Sequence, residues 1–277
     1  MFRSYLTVAI RSMLKHRFFA AINLSGLVIG VTCCLLVFIY VKDELLYDRF
    51  HKDANLIYRV GLHGKIAGQE IFTSNSSAPV GQAMQNEIPG IASTVRILPL
   101  TRGNGDGIAF RYEEKIFSES MVHYADSNFF QFFSFELLEG DAKTALNEPS
   151  SIVITKALAD KYFNGDALGK TLIIGSDQNA YKVTGVAKEA PQQSHFKFNA
   201  LLSFTTLTRN PDQFYNGWTG NSMYTYVKKD EKTKVESVNA KLEDLVAKYV
   251  GAELEQGLGI KFDEFRKQGG IYAYYIY

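Results

Sequence analysis

FFAAINLSGLVIGVTCCLLVFIYV, residues 18–41, is a run of 24 residues without a charge, and Asn23 is its only strongly polar member. A hydrocarbon core about 30 Å thick takes roughly 20 apolar residues at 1.5 Å each, so the run is long enough to cross a membrane. The core helix of a soluble protein shows a polar face, and this run shows none. Its flanks set the direction. Arg11, Lys15, His16 and Arg17 precede it, and Lys42, Asp43 and Glu44 follow it. Basic flanks stay in the cytoplasm, so Arg11, Lys15 and Arg17 orient the N-terminus inward and place the body outside. A cleavable signal peptide would have a shorter apolar stretch and a small-residue cleavage site, and neither is present.

Working outward, Phe2, Leu6, Ala9, Ile10, Met13 and Leu14 recur at helical spacing, with the basic residues elsewhere. Residues 1–17 thus read as an amphipathic helix on the membrane lipid of the inner face. Within the span, Gly26 and Gly30 form a G-x-x-x-G pair, the spacing that lets a second helix approach closely. After the span, Leu45, Leu46, Phe50 and Ile57 keep a near-helical spacing among charges. The helix is expected to continue as a stalk over 42–55.

The chain has 277 residues and a net charge of +1, but the charge is unevenly placed. Residues 1–41 carry four Lys/Arg and no acidic residue, while the rest carries 26 basic and 29 acidic residues. A basic head on a mildly acidic body reads as a membrane address followed by a soluble domain. No basic stripe interleaved with aromatics appears, which argues against nucleic acid as a partner. Cys33 and Cys34, the only cysteines, lie inside the apolar run, so the body has no disulfide, thiolate nucleophile or thiolate metal site.

The body alternates strand and helix signals. Residues 57–63 read as a strand, and Pro79 opens a helix with Val80, Met84 and Ile88 inward. Residues 92–98 follow as a strand. Gly103 to Gly107 form a turn cluster without the lysine or the spacing of a phosphate loop. Residues 110–117 and 121–125 are strands. Asp126-Ser127-Asn128 offers a cap for a short helix carrying Phe129, Phe130, Phe132 and Phe133, an aromatic group read as core. Residues 150–154 are a strand, and Thr155 caps a helix over 156–163 that ends at Asn164-Gly165. Residues 169–174 and 181–186 form a hairpin with a bulge at Gly185. A strand over 198–204, a loop over 209–221, a strand over 223–228, an amphipathic helix over 233–249 and a final strand complete the chain.

No catalytic constellation emerges, and no catalytic, cofactor-binding or metal-ligating residue is assigned. His51, His63, His123 and His195 lack ligand spacing, and there is neither a G-x-S-x-G elbow nor a Walker loop. The chain is therefore read as a non-enzyme.

Three body segments, DSNFFQFFSFELLEGD (126–141), SSIVITKALADKYFNGDALGKTL (150–172) and YKVTGVAKEAP (181–191), carry a resemblance. With the basic start, the span and the stalk, they resemble the first membrane helix and periplasmic core domain of MacB/FtsX-type ABC-transporter permeases. The resemblance covers roughly residues 1–250. It implies an α+β fold with a porter-like α/β subdomain at 56–107 and 221–277 and a β-rich subdomain inserted at 108–220. It also implies a bacterial inner-membrane location and mechanotransmission powered by a separate cytoplasmic ABC ATPase, which would bind the ATP. A second permease copy or paralogue and a periplasmic adaptor are further implied partners. Family permeases carry three or more further membrane helices, so the chain is expected to be part of a longer permease. The alternative reading is a single-pass anchored periplasmic binding or sensor domain.

Overall fold

The computed structural model describes residues 2–66, 68–101, 107–208 and 216–277. It divides into two compact units, Met1–Arg49 and Phe50–Tyr277.

The first unit is helical. α1 (Phe2–Lys15) has Lys15 in its last turn, and α2 (Arg17–Leu45) follows after the single residue His16. His16 leaves the helical well at ψ 44°, which divides the two helices. At 1.5 Å per residue α2 is about 44 Å long, enough to cross a bilayer. No side chain of α2 is buried. The expected stalk is corrected here, because the helix ends at Leu45 rather than near residue 55. Leu46 and Tyr47 donate to the carbonyls of Asp43 and Glu44, a tightened last turn, and Asp48 enters the left-handed region at φ 58°. Residues 46–53 are turns because Phe50 and His51 are drawn into an aromatic core, which a continuing helix would prevent.

The second unit is built on one sheet. Its strands are β1 (Ile57–Ile66), β2 (Gln69–Thr73), β3 (Ser76–Ser77), β4 (Ile91–Pro99), β5 (Ile108–Tyr112), β6 (Lys115–Glu119) and β7 (Val122–Ala125). They continue with β8 (Leu137–Gly140), β9 (Ser151–Thr155), β10 (Thr171–Ile174), β11 (Asn179–Ala187), β12 (Ala200–Ser203), β13 (Asn221–Lys229) and β14 (Ile271–Ile276). The order across the sheet is β14-β1-β13-β4-β7-β12-β9-β11-β10-β5-β6. β2 joins β1, β3 joins β13 and β8 joins β11. Two pairs are parallel, β7 with β12 and β9 with β11, and the others are antiparallel. The stretches read as a subdomain and its insertion lie at opposite ends of this one sheet.

Side-chain alternation distributes three large cores and one small one over the two faces. α3 (Val80–Glu87), α6 (Val235–Leu245), a π turn (Val246–Val250) and α7 (Gly251–Leu258) cover the β14 end, over Val60, Leu62 and Val227. α5 (Lys156–Phe163) covers the other end, over Ile152, Ile154 and Leu202. The intervening residues Tyr226, Val153 and Leu201 point to the opposite face. There they meet α4 (Phe129–Phe132) and its phenylalanines. Thus one face carries a core at each end, and the other carries a single core across the middle. The aromatic run 129–133 is core, as its density indicates.

Several local readings change. Residues 110–117 are not one strand: β5 and β6 form a hairpin that turns at Glu113, φ 51°, where no Gly or Asn marks it. Neither expected cap bonds its helix. Asn128 instead donates to the Thr94 carbonyl at 2.9 Å, and the Thr155 hydroxyl is buried without a partner. The first turn of α5 is served by Glu189, which accepts from Ala157 N–H at 2.8 Å. The helix expected over 233–249 runs on through the π turn to Leu258. The bulge at Gly185 is present as a shift in the β9–β11 register. Residues 103–106 of the turn cluster and 209–215 of the Trp-containing loop lie outside the described residues.

Candidate functional site: the membrane helix and the seam of the sheet

Arg11 and Lys15 lie on α1, and Arg17 is the first residue of α2. All three are exposed. Gly26 and Gly30 stand one turn apart on α2, and a Cβ built on either meets nothing within 4 Å. The helix surface there is open. The five residues expected to act in the membrane therefore all belong to the first unit.

In the second unit the two ends of the sheet meet where β4 pairs with β7, through Ile97↔Ala125, Leu98↔Tyr124 and Pro99↔His123. On one face of this seam Arg96 and Asp126 form a two-pronged ion pair: Nε donates to Oδ2 at 3.0 Å and Nη2 to Oδ1 at 2.9 Å. The Arg96 backbone N–H adds a bond to Oδ2 at 2.7 Å, and Nη1 donates to the Ala78 carbonyl at 3.2 Å. The guanidinium lies 4.4 Å over the Phe204 ring. A planar fork fits a carboxylate in two places at once, which fixes angle as well as distance. Together with a small cluster of Ala78, Phe204 and Met223, this pair lies between the two larger cores on that face, and the phenylalanine core closes the other face.

The chain enters the second unit at this seam. Phe50 packs against Phe135 with ring centroids 5.4 Å apart. The His51 ring lies 5.1 Å from Phe133, and its Nδ1 accepts from Ser134 N–H at 3.1 Å. Lys52 N–H donates to the Ser134 hydroxyl at 3.0 Å. Asp53 pairs with Lys228 of β13 at 2.7 Å. Four consecutive residues thus hold both ends of the sheet: Phe133–Phe135 follow α4, while Lys228 belongs to the β14 end. Residue spacing offered no signal for this latch, because its partners lie 82 to 175 positions away.

His123 lies under the seam at 6 % exposure. Nε2 donates to the Lys197 carbonyl at 3.2 Å, and Nδ1 has no partner. Burial depresses its pKa to about 4, and the bond to Lys197 opposes this only in part. The unfolded chain then binds the extra proton between about pH 6.5 and 4, so stability falls as pH falls through that window. The loss expected is about 3 kcal/mol at full protonation. Urea midpoints of wild type and His123→Phe, compared at pH 7 and pH 4.5, measure it. An equal fall in both would remove His123 as the cause. Among the described residues no three His, Cys, Asp or Glu side chains gather to hold a metal ion.

One helix long and apolar enough to cross a membrane, followed by an α+β sheet domain with a latched seam, defines the architectural class. More particularly, the chain belongs to the MacB-like periplasmic core domain family of ABC-transporter permeases, whose family profile matches residues 20–245. The crystal structure of a domain assigned to a permease of Porphyromonas gingivalis is similar at a TM-score of 0.66 and 25% identity. It covers 82% of this chain and 91% of that one. The periplasmic region of MacB from Actinobacillus actinomycetemcomitans is more distant, at a TM-score of 0.46 and 16% identity over 68% of this chain and 83% of that one. No curated protein sequence matches the chain.

Proposed function

We propose that this chain is the N-terminal part of a permease subunit in an ABC-type export or mechanotransmission system. It couples a separate cytoplasmic ATPase to conformational change in the periplasm of a bacterium. The observation that carries this reading is the entry latch. Residues 50–53 follow the apolar helix by five positions and bind both ends of the sheet, so displacement of the helix reaches the seam first. A simple tether would need no such attachment. The ATPase is the expected partner, with a second permease copy or paralogue beside it and a periplasmic adaptor beyond.

The test uses the assembled transporter in its membrane. Spin labels at Leu138 and Phe72, on strands at the two ends of the sheet, should change separation when ATP replaces ADP. The double variant His51→Ala/Asp53→Ala should abolish that change while the ATPase still co-purifies. Failure of any ABC ATPase to co-purify, or a separation indifferent to nucleotide, would overturn the proposal.

Orientation rests on Arg11, Lys15 and Arg17. Replacing all three with Glu is expected to invert or block insertion, read by a topology reporter fused after residue 60. A reporter that stays periplasmic would refute this role. Replacing Gly26 and Gly30 with Leu is expected to weaken association with another membrane helix by about 1 kcal/mol or more, measured by co-purification from nanodiscs.

A further inference from the structure

The helices over the β14 end of the sheet stop short of β2. Between them lies an open groove of about 570 Å³. Leu62, Gly64, Ile71 and Tyr272 form its floor, and Leu254 and Phe265 form its wall. This volume falls within the range of ligand sites, and the lining is mostly apolar. Ile71 is 57% exposed at the groove mouth. Gly64 leaves the floor open, since a Cβ there meets nothing within 4 Å.

β2 has a free edge beside this groove. Arg59 and Tyr277 exchange both backbone bonds, so alternation points Gly61, His63 and Lys65 toward β14. Leu62, Gly64 and Ile66 therefore bond β2, through Thr73, Ile71 and Gln69. The backbone N–H and C=O of Glu70 and Phe72 face outward, and among the described residues no strand pairs with them. Phe72 is 66% exposed and stacks on His63 at 4.2 Å. Proteins usually blunt such an edge with charge or proline; here the one charge, Glu70, is occupied by His63 at 2.7 Å.

Among the described residues the one charged side chain lining the groove is Glu253, and no Lys, Arg or His lines it. Its carboxylate is held in place by N–H donors from Trp218 at 2.5 Å and Thr219 at 3.2 Å.

We propose that the β2 edge and its groove bind an extended, basic and apolar segment of a partner protein by strand addition. The segment's backbone pairs with Glu70 and Phe72, and alternate apolar side chains lie beside Ile71 over the groove. On that same face one basic side chain, two positions from an apolar one, meets Glu253. An acyl chain could fill the groove but would leave the edge groups unbonded, which is why a polypeptide is the occupant. This proposal is independent of ATPase coupling.

The test uses the full chain in phosphatidylcholine nanodiscs. The probe is a fluorescein-labelled, end-blocked octapeptide, Thr-Val-Thr-Val-Thr-Lys-Thr-Val, in which valine and lysine share one face of the strand, and binding is read by anisotropy. Saturable binding is expected. Phe72→Pro removes, besides the exposed ring stacked on His63, one outward N–H, which an edge strand tolerates. Gly64→Val fills the floor. Each should weaken binding roughly tenfold or more. Ile71→Asp, which alters no backbone bond, serves as a second variant should either fail to fold by circular dichroism. Replacing lysine with glutamate in the probe should also weaken binding. Binding unchanged by Phe72→Pro or by Ile71→Asp, or binding of labelled palmitate without binding of the peptide, would overturn the proposal.

Discussion

Phe129→Ala is expected to destabilise the sheet domain by about 4 kcal/mol, the upper range for truncating a buried aromatic ring. Phe129 is fully buried, and its ring lies within 5.9 Å of those of Phe130, Phe133, Phe135, Phe196 and Phe198. Removing it leaves a cavity that the neighbouring rings, each fixed by others, close only in part. The measurement is a urea midpoint followed by two signals. Trp218, the single tryptophan, is buried and stacks on Tyr249 at 4.4 Å in the core at the β14 end, away from Phe129. If the sheet unfolds as one cooperative body, tryptophan emission and circular dichroism shift together. A large shift in circular dichroism with unchanged tryptophan emission would show that the two ends unfold separately. A loss below about 1 kcal/mol would mean that the phenylalanine core is not central to stability.

Asp126→Ala should cost somewhat less, about 2–3 kcal/mol, through a different mechanism. It removes the partner of a half-buried guanidinium and also deprives the Arg96 backbone N–H of its acceptor. Each loss leaves a desolvated donor unpaired, and such groups cost more than the bond contributes when made. Arg96→Leu/Asp126→Leu tests this reasoning: with both charges gone the domain should recover much of the loss. If the double variant is as unstable as Asp126→Ala, packing rather than the unpaired charge is the cause. Recovery of stability without the ATP-dependent change in separation would indicate that the pair serves movement more than folding.

What the sequence makes legible follows from the range of the interactions. The span needs only composition over a window. α5 is readable because Leu158, Ala159 and Tyr162 repeat at helical spacing and Asn164 closes the helix in the left-handed region. The aromatic run 129–133 is readable as core because so many rings cannot stay in water. The cap of α5 is not readable, since its acceptor, Glu189, arrives from 32 residues away. The end of α2 is missed for a similar reason. Leu46 and Phe50 keep the helical period, but packing of Phe50 and His51 against Phe133 and Phe135 outweighs a period carried by few residues. The seam pair, separated by 30 positions, and the free edge of β2 depend on strand order, which no local pattern encodes. The long apolar helix was thus legible, and the seam of the sheet was not.

The attachment at residues 50–53 also determines how the domain bears load. Tension on the chain at Arg49 reaches the contacts of His51 and Asp53 before it reaches β1. Behind them β1 is held along its length, by β13 at residues 57–59 and by β14 from residue 60 onward. A pull along the axis of β1 would load these rungs in shear, so they must yield together rather than unzip one at a time. Under such a pull the entry contacts would take up the strain first, in front of a stiff beam, while the sheet behind them keeps its register.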